Sequence, residues 1–72
     1  MSKFIEMPDG QLIRKDIIIR IPPYLGVDRA GFYIDVDVNE IVVDRTYIHV
    51  RLSMDRDIAS NQHSLIKNQL KS

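Results

Sequence analysis

The sequence predicts an α+β fold, in which a small, mostly antiparallel β-sheet of four or five strands is followed by one C-terminal α-helix. Isoleucine and valine are concentrated before residue 53, and β-branched side chains favour strands. From Met54 onward their density falls, and apolar residues recur at helical spacing instead. A chain of 72 residues is the size of one domain. Residues 1–72 are therefore predicted to form a single small domain, with strands within 3–53 and the helix at about 55–70.

The first predicted element is a hairpin formed by residues 4–7 and 11–14. Between them, Pro8 presets φ, Asp9 can accept a hydrogen bond from nearby backbone, and Gly10 tolerates a positive φ. This combination between two apolar segments is typical of a tight turn.

Residues 17–21, with the sequence IIIRI, predict the next strand. Simple alternation places one set of isoleucines on the core face, namely Ile17, Ile19 and Ile21, and turns Ile18 and Arg20 outward. Pro22 and Pro23 end the strand because proline cannot donate an N–H, and residues 22–31 are predicted to be one long connection. An outward Ile18 makes the strand apolar on both sides, which indicates an interface and hence a homodimer.

Two further strands alternate strictly. In residues 32–38 the apolar side chains fall two apart, and residues 47–53 repeat the pattern with Ile48, Val50 and Leu52 inward. The apolar parity changes between these segments, so we expect a turn or bulge near Asp44 and Arg45.

The last segment predicts the helix. Asp55 or Ser53 is suited to cap a helix that begins near Arg56. The predicted apolar stripe is narrow and consists of Ile58, Ala59, Leu65, Ile66 and Leu70. Such a stripe would cover one face of the sheet or pair with a copy of itself.

Composition limits the classes of function. The formal net charge is zero and there is no cysteine, so a general attraction to nucleic acid and a cysteine-based metal site are both disfavoured. The opening MSKFIEMPDG has no apolar segment of the kind found in a signal peptide, and no apolar run is long enough for a membrane span. A cytoplasmic protein without a membrane partner is expected.

The run DVDVNE at residues 35–40 resembles the start of a calcium-binding loop. Such a loop needs glycine at its sixth position and glutamate at its twelfth, where this chain has Glu40 and Thr46. Val36 and Val38 instead favour a strand with Asp35 and Asp37 on its polar face. The two histidines lie in different predicted elements and are expected to be partly exposed polar residues rather than metal ligands. The serines show no triad spacing, so neither a cofactor nor an enzymatic activity is expected.

The outward side chains of the last strand form the strongest candidate surface. Arg45, Tyr47, His49 and Arg51 recur two apart, and basic groups around an aromatic ring suit single-stranded nucleic acid. The favoured interpretation is structural: in an antiparallel pair, Asp35 and Asp37 would neutralise His49 and Arg51.

The expected function is a non-enzymatic protein-interaction or regulatory module. We expect it to self-associate and to bind an unidentified protein partner through Ile18 or the residues of the last strand. A small nucleic-acid-binding regulator that uses Arg45, Tyr47, His49 and Arg51 is the alternative.

Overall fold

Within residues 3–71 the fold consists of six strands in two antiparallel sheets and one long helix, which confirms the predicted α+β class. A computed structural model describes residues 3–71 of the chain. The elements in chain order are β1 (Phe4–Glu6), β2 (Leu12–Arg14), β3 (Ile18–Arg20), β4 (Gly26–Asp28), β5 (Gly31–Glu40), β6 (Arg45–Arg51) and α1 (Arg56–Lys71), with a 3-10 helix at Lys15–Ile17 before β3.

The first two strands form the predicted hairpin. Ile5 and Ile13 are direct partners across the antiparallel pair, and both are buried. In the turn, Gly10 has a φ of 95°, which a residue with a Cβ rarely adopts. The Asp9 carboxylate accepts a hydrogen bond from the Gln11 N–H at 3.2 Å.

The second sheet is centred on β5, the longest strand. Along one edge of β5 lies β6, and along the other edge β3 and β4 lie one after the other, all antiparallel to it. The β5–β6 register shifts between Asp37 and Glu40, and residues 41–44 then form the connecting turn. The irregularity predicted near Asp44 and Arg45 is therefore confirmed.

Helix α1 begins where the sequence predicted. Asp55 Oδ1 accepts hydrogen bonds from the N–H groups of Asp57 (2.9 Å) and Ile58 (3.2 Å), so it caps the helix. The buried side chains of α1 are Ala59, His63 and Ile66. The predicted apolar stripe was wrong at Ile58 and Leu65, because both side chains are exposed.

The core lies between the inner face of the second sheet, the first hairpin and α1. Its members are Ile5, Met7, Ile13, Ile21, Ile34, Val36, Val38, Ile48, Val50, Leu52, Ala59 and Ile66. The core residues contributed by β5 and β6 alternate along these strands, which confirms the predicted alternation. One contiguous cluster of this kind is what a single small domain contains.

The turn of the first hairpin docks on the outer edge of β6. The Gln11 side chain donates a hydrogen bond to the His49 carbonyl at 2.8 Å, and the Arg51 N–H donates to Asp9 Oδ2 at 3.1 Å. These side chains thus form hydrogen bonds with backbone groups of β6 that could otherwise pair with another strand. Burial acts to raise the pKa of Asp9, but hydrogen bonds from the Gln11 side chain and the Arg51 N–H outweigh it, and the pKa is lowered.

Two predictions about residues 17–31 were wrong. The long connection contains β4, a three-residue strand that pairs with the start of β5. The face assignment of β3 also fails, because the pairing register shifts between Ile18 and Arg20. Ile18 is half-buried and packs against the core, whereas Ile19 is 68% exposed.

No helix within residues 3–71 is both long and apolar enough to span a membrane.

Candidate functional site

The four side chains singled out on β6 alternate along the outer face of the sheet. Arg45, Tyr47 and His49 are exposed and Arg51 is half-buried. The structure brings them together as a row, as the sequence predicted.

Arg51 is held by a carboxylate that the sequence did not indicate. Its Nη1 and Nη2 donate to the two carboxylate oxygens of Asp28 at 2.8 and 3.0 Å, and Nη1 also lies 3.4 Å from the Gly31 carbonyl oxygen. The hydrogen bonds from Arg51 hold the pKa of Asp28 below its usual value. The same contact with Asp28 raises the pKa of Arg51. This two-pronged geometry fixes the guanidinium firmly.

His49 bonds to the acid predicted for it. Its Nδ1 donates to Asp35 Oδ1 at 2.8 Å, across the directly paired positions of β5 and β6. The His49 ring lies 4.9 Å from the Tyr33 ring, centroid to centroid, and the Arg51 guanidinium carbon lies 5.8 Å from the same Tyr33 centroid. Tyr33 in turn covers Gly26, where an added Cβ would come within 2.3 Å of its ring.

The remaining acids of the DVDVNE run also have basic partners. Asp37 accepts from Arg20 at 3.2 Å rather than from the β6 row, and Glu40 pairs with Arg45 at 3.0 Å. The predicted partnership of Asp37 with His49 or Arg51 was therefore wrong, because Asp37 lies opposite Tyr47 in the register. Within residues 3–71 no group of three or more acidic or histidine side chains is placed to hold a metal ion.

The pairing of Asp28 with Arg51 should make stability depend on pH in the acid range. The folded pKa of Asp28 lies below its unfolded value of 3.8, so on acidification the unfolded state takes up this proton first. The stabilisation is present above the unfolded pKa and is lost as the pH falls through the folded pKa. Asp28→Asn should be less stable than the wild type at neutral pH, and the two should converge at strongly acid pH in urea titrations.

The matched control for this experiment is Arg51→Gln, which removes the partner and leaves the carboxylate. It should show the same convergence, and the double variant should add little to either single change. A stability difference that is unchanged from neutral to strongly acid pH would contradict a charge-dependent role for Asp28.

The most unusual surface is the turn between β5 and β6, here called the hairpin tip and defined as residues 41–44. Ile41, Val42 and Val43 are 83%, 95% and 56% exposed. The turn closes with a hydrogen bond from the Asp44 N–H to the Ile41 carbonyl at 3.2 Å, and Asp44 has a φ of 51°. Turns are normally built from polar residues, glycine and proline, so three consecutive exposed aliphatic side chains here stand out.

The second apolar surface is a groove of about 550 Å³ between β4 and the first half of α1, here called the α1–β4 groove. Its apolar wall contains Tyr24, Leu25, Val27 and Phe32. On the helix side it is lined by Arg56, Ser60 and His63. A volume of this order, within about 300 to 1,000 Å³, is typical of sites that enclose a small ligand or a few side chains.

His63 lines the groove on the helix side. It is buried, although the sequence indicated a partly exposed polar position, and its Nε2 donates to the Pro22 carbonyl at 2.7 Å. This bond ties the segment after β3 to the helix. The signal that could have revealed it is the spacing of Ala59, His63 and Ile66, which places all three on one helical face.

Comparisons with protein-family models, with curated proteins and with solved structures found no match to this chain.

Proposed function

We propose that this protein is a small, non-enzymatic interaction module that self-associates and engages protein through the hairpin tip. The observation that carries the proposal is the exposure of Ile41, Val42 and Val43 at the end of the longest hairpin. Contiguous exposed apolar side chains oppose solubility unless a partner covers them. Their position in a connecting turn, presented by a rigid scaffold, is typical of binding residues.

The scaffold supports this presentation. Cross-strand pairs run from Tyr33–Arg51 to Glu40–Arg45, and the ion pair between Glu40 and Arg45 lies at the last of these pairs, directly before the tip. A tip held at its base by paired strands loses less conformational entropy on binding than an unanchored loop would. The tip is therefore favoured over Ile18, which is half-buried and packs against the core.

The nucleic-acid alternative has less support. Three side chains of the proposed row, Arg45, His49 and Arg51, each lie against a carboxylate of the same chain. A phosphate would have to compete with these acids, and the net charge of zero supplies no general attraction. Tyr47 is 56% exposed and remains accessible for stacking.

The test of the proposal is sedimentation of the purified chain from low to high micromolar concentration. The wild type should show a mass above that of one chain. Val42→Asp should weaken association by roughly tenfold or more, because the lost burial of one valine side chain alone accounts for about that factor.

The control is Ile19→Asp, which places the same charge at an equally apolar, 68% exposed position outside the tip. It should associate like the wild type. A wild-type chain that stays monomeric at high micromolar concentration would remove self-association. Dissociation by Ile19→Asp but not by Val42→Asp would move the interface to the β3 edge and overturn the role of the tip.

A further inference from the structure

The α1–β4 groove contains a cation without a partner. Arg56 is exposed at the start of the helix, and within residues 3–71 its guanidinium has no ion-pair or hydrogen-bond acceptor. The rest of the groove offers the apolar surfaces of Val27 and Phe32. The matching ligand would therefore have a short apolar segment with a single anionic group beside it.

The hairpin tip has this chemistry. Ile41, Val42 and Val43 are followed directly by Asp44, and in the described part of the chain the Asp44 carboxylate also has no ion-pair or hydrogen-bond partner. The other acids of this hairpin, from Asp35 to Glu40, are paired. The free charge of the tip thus complements the free charge of the groove.

A chain cannot insert its own tip into its own groove. Phe32 borders the groove near the start of β5 and the tip follows Glu40 at its end, a separation of about 26 Å at about 3.3 Å per residue. Two copies that lie side by side in opposite directions would place each tip at the groove end of the other. This arrangement has twofold symmetry and closes after two chains, with the tip–groove contact made twice.

We propose that the partner of the hairpin tip is a second copy of this chain, and that Ile41–Val43 of each copy enter the α1–β4 groove of the other with Asp44 against Arg56. The inference rests on the proposed function, because it specifies where the self-associating tip binds. It adds that Val27, Phe32, Arg56 and Ser60 form the receiving surface.

The test compares one substitution at two positions of α1. Ser60→Glu places a carboxylate inside the groove, one helical turn from Arg56, where it competes for Arg56 and repels Asp44. Ser64→Glu is the matched control, since Ser64 is exposed on the same helix and does not line the groove. In sedimentation series, Ser60→Glu should weaken association by roughly tenfold or more, and Ser64→Glu should leave it unchanged.

A mixing experiment separates a tip–groove contact from contacts between like surfaces. Val42→Asp lacks a functional tip but keeps its groove, whereas Ser60→Glu keeps its tip but lacks a functional groove. An equimolar mixture should form a mixed dimer through one intact contact, at concentrations where each variant alone is monomeric. Circular dichroism spectra and melting curves like those of the wild type show that both variants are folded.

The outcomes distinguish the two proposals. If Val42→Asp abolishes association while Ser60→Glu associates like Ser64→Glu, the tip function stands and the groove is not its receptor. If both variants are monomeric but the mixture is monomeric as well, the reciprocal contact is wrong. If Val42→Asp associates like the wild type, the proposed function fails together with the inference.

Discussion

Ile34→Ala should lower the free energy of unfolding by about 2–5 kcal/mol, the usual cost of deleting a large aliphatic side chain from a packed core. Ile34 is 1% exposed and lies on the central strand, directly opposite Val50 of β6. A domain of this length has a total stability of roughly 4–11 kcal/mol. The substitution should therefore remove a large part of the total free energy of unfolding, as measured by urea unfolding.

The control for Ile34→Ala is Ile19→Ala, the same change at an exposed position. It should alter stability by about 0.5 kcal/mol or less, as surface substitutions usually do. Equal losses at the two positions would contradict the burial of the inner face of β5. The consequence for function is direct, because this strand carries the hairpin tip and borders the groove.

Strict alternation made the central hairpin predictable from the sequence. Val36, Val38 and Val50 enter the core because apolar and polar residues alternate along both strands. The first hairpin was equally clear, since Pro8, Asp9 and Gly10 each have a local reason to turn. The helix start was predicted because the Asp55 cap depends on adjacent residues alone.

The features that were missed depend on contacts between distant segments. Asp28 meets Arg51 only because β4 pairs with the start of β5, and three residues between turn signals are too short to predict as a strand. Ile18 and Ile19 exchange roles through a register shift that alternation cannot reveal. His63 is buried because the Pro22 carbonyl, far away in sequence, accepts its hydrogen bond.

The candidate site was only half predictable for the same reason. The spacing of the residues predicts the β6 row, but the pairing of its side chains with three carboxylates depends on the strand register. The exposure of the hairpin tip depends on the register shift after Asp37 and on the turn at residues 41–44. The basic side chains of the row already contact carboxylates of the same chain, whereas the apolar side chains of the tip are exposed. For this reason the tip is the better candidate for a binding surface.

Gly31→Ala should lower the free energy of unfolding by about 2–4 kcal/mol, since it combines backbone strain with a steric contact. Gly31 has a φ of 125°. An added Cβ would lie 3.0 Å from the Met54 Cα and 3.3 Å from its backbone nitrogen. Because these are backbone atoms, Met54→Ala should restore little stability to the Gly31→Ala variant.

Gly10→Ala separates the two causes. Gly10 also has a positive φ, 95°, but nothing lies within 4 Å of an added Cβ there, so only the conformational cost of about 1–2 kcal/mol should appear. The excess loss of stability at Gly31 then measures the contact with Met54.

Met54 lies in the short link between Leu52 and α1, and Phe32, beside Gly31, borders the groove. A Cβ at residue 31 should therefore push the start of the helix away from the sheet and weaken self-association, whereas Gly10→Ala should leave self-association unchanged. Equal stability losses at the two glycines would show that the backbone near Met54 can move without a loss of stability. The close contact between Gly31 and Met54 would then not fix the position of the groove wall.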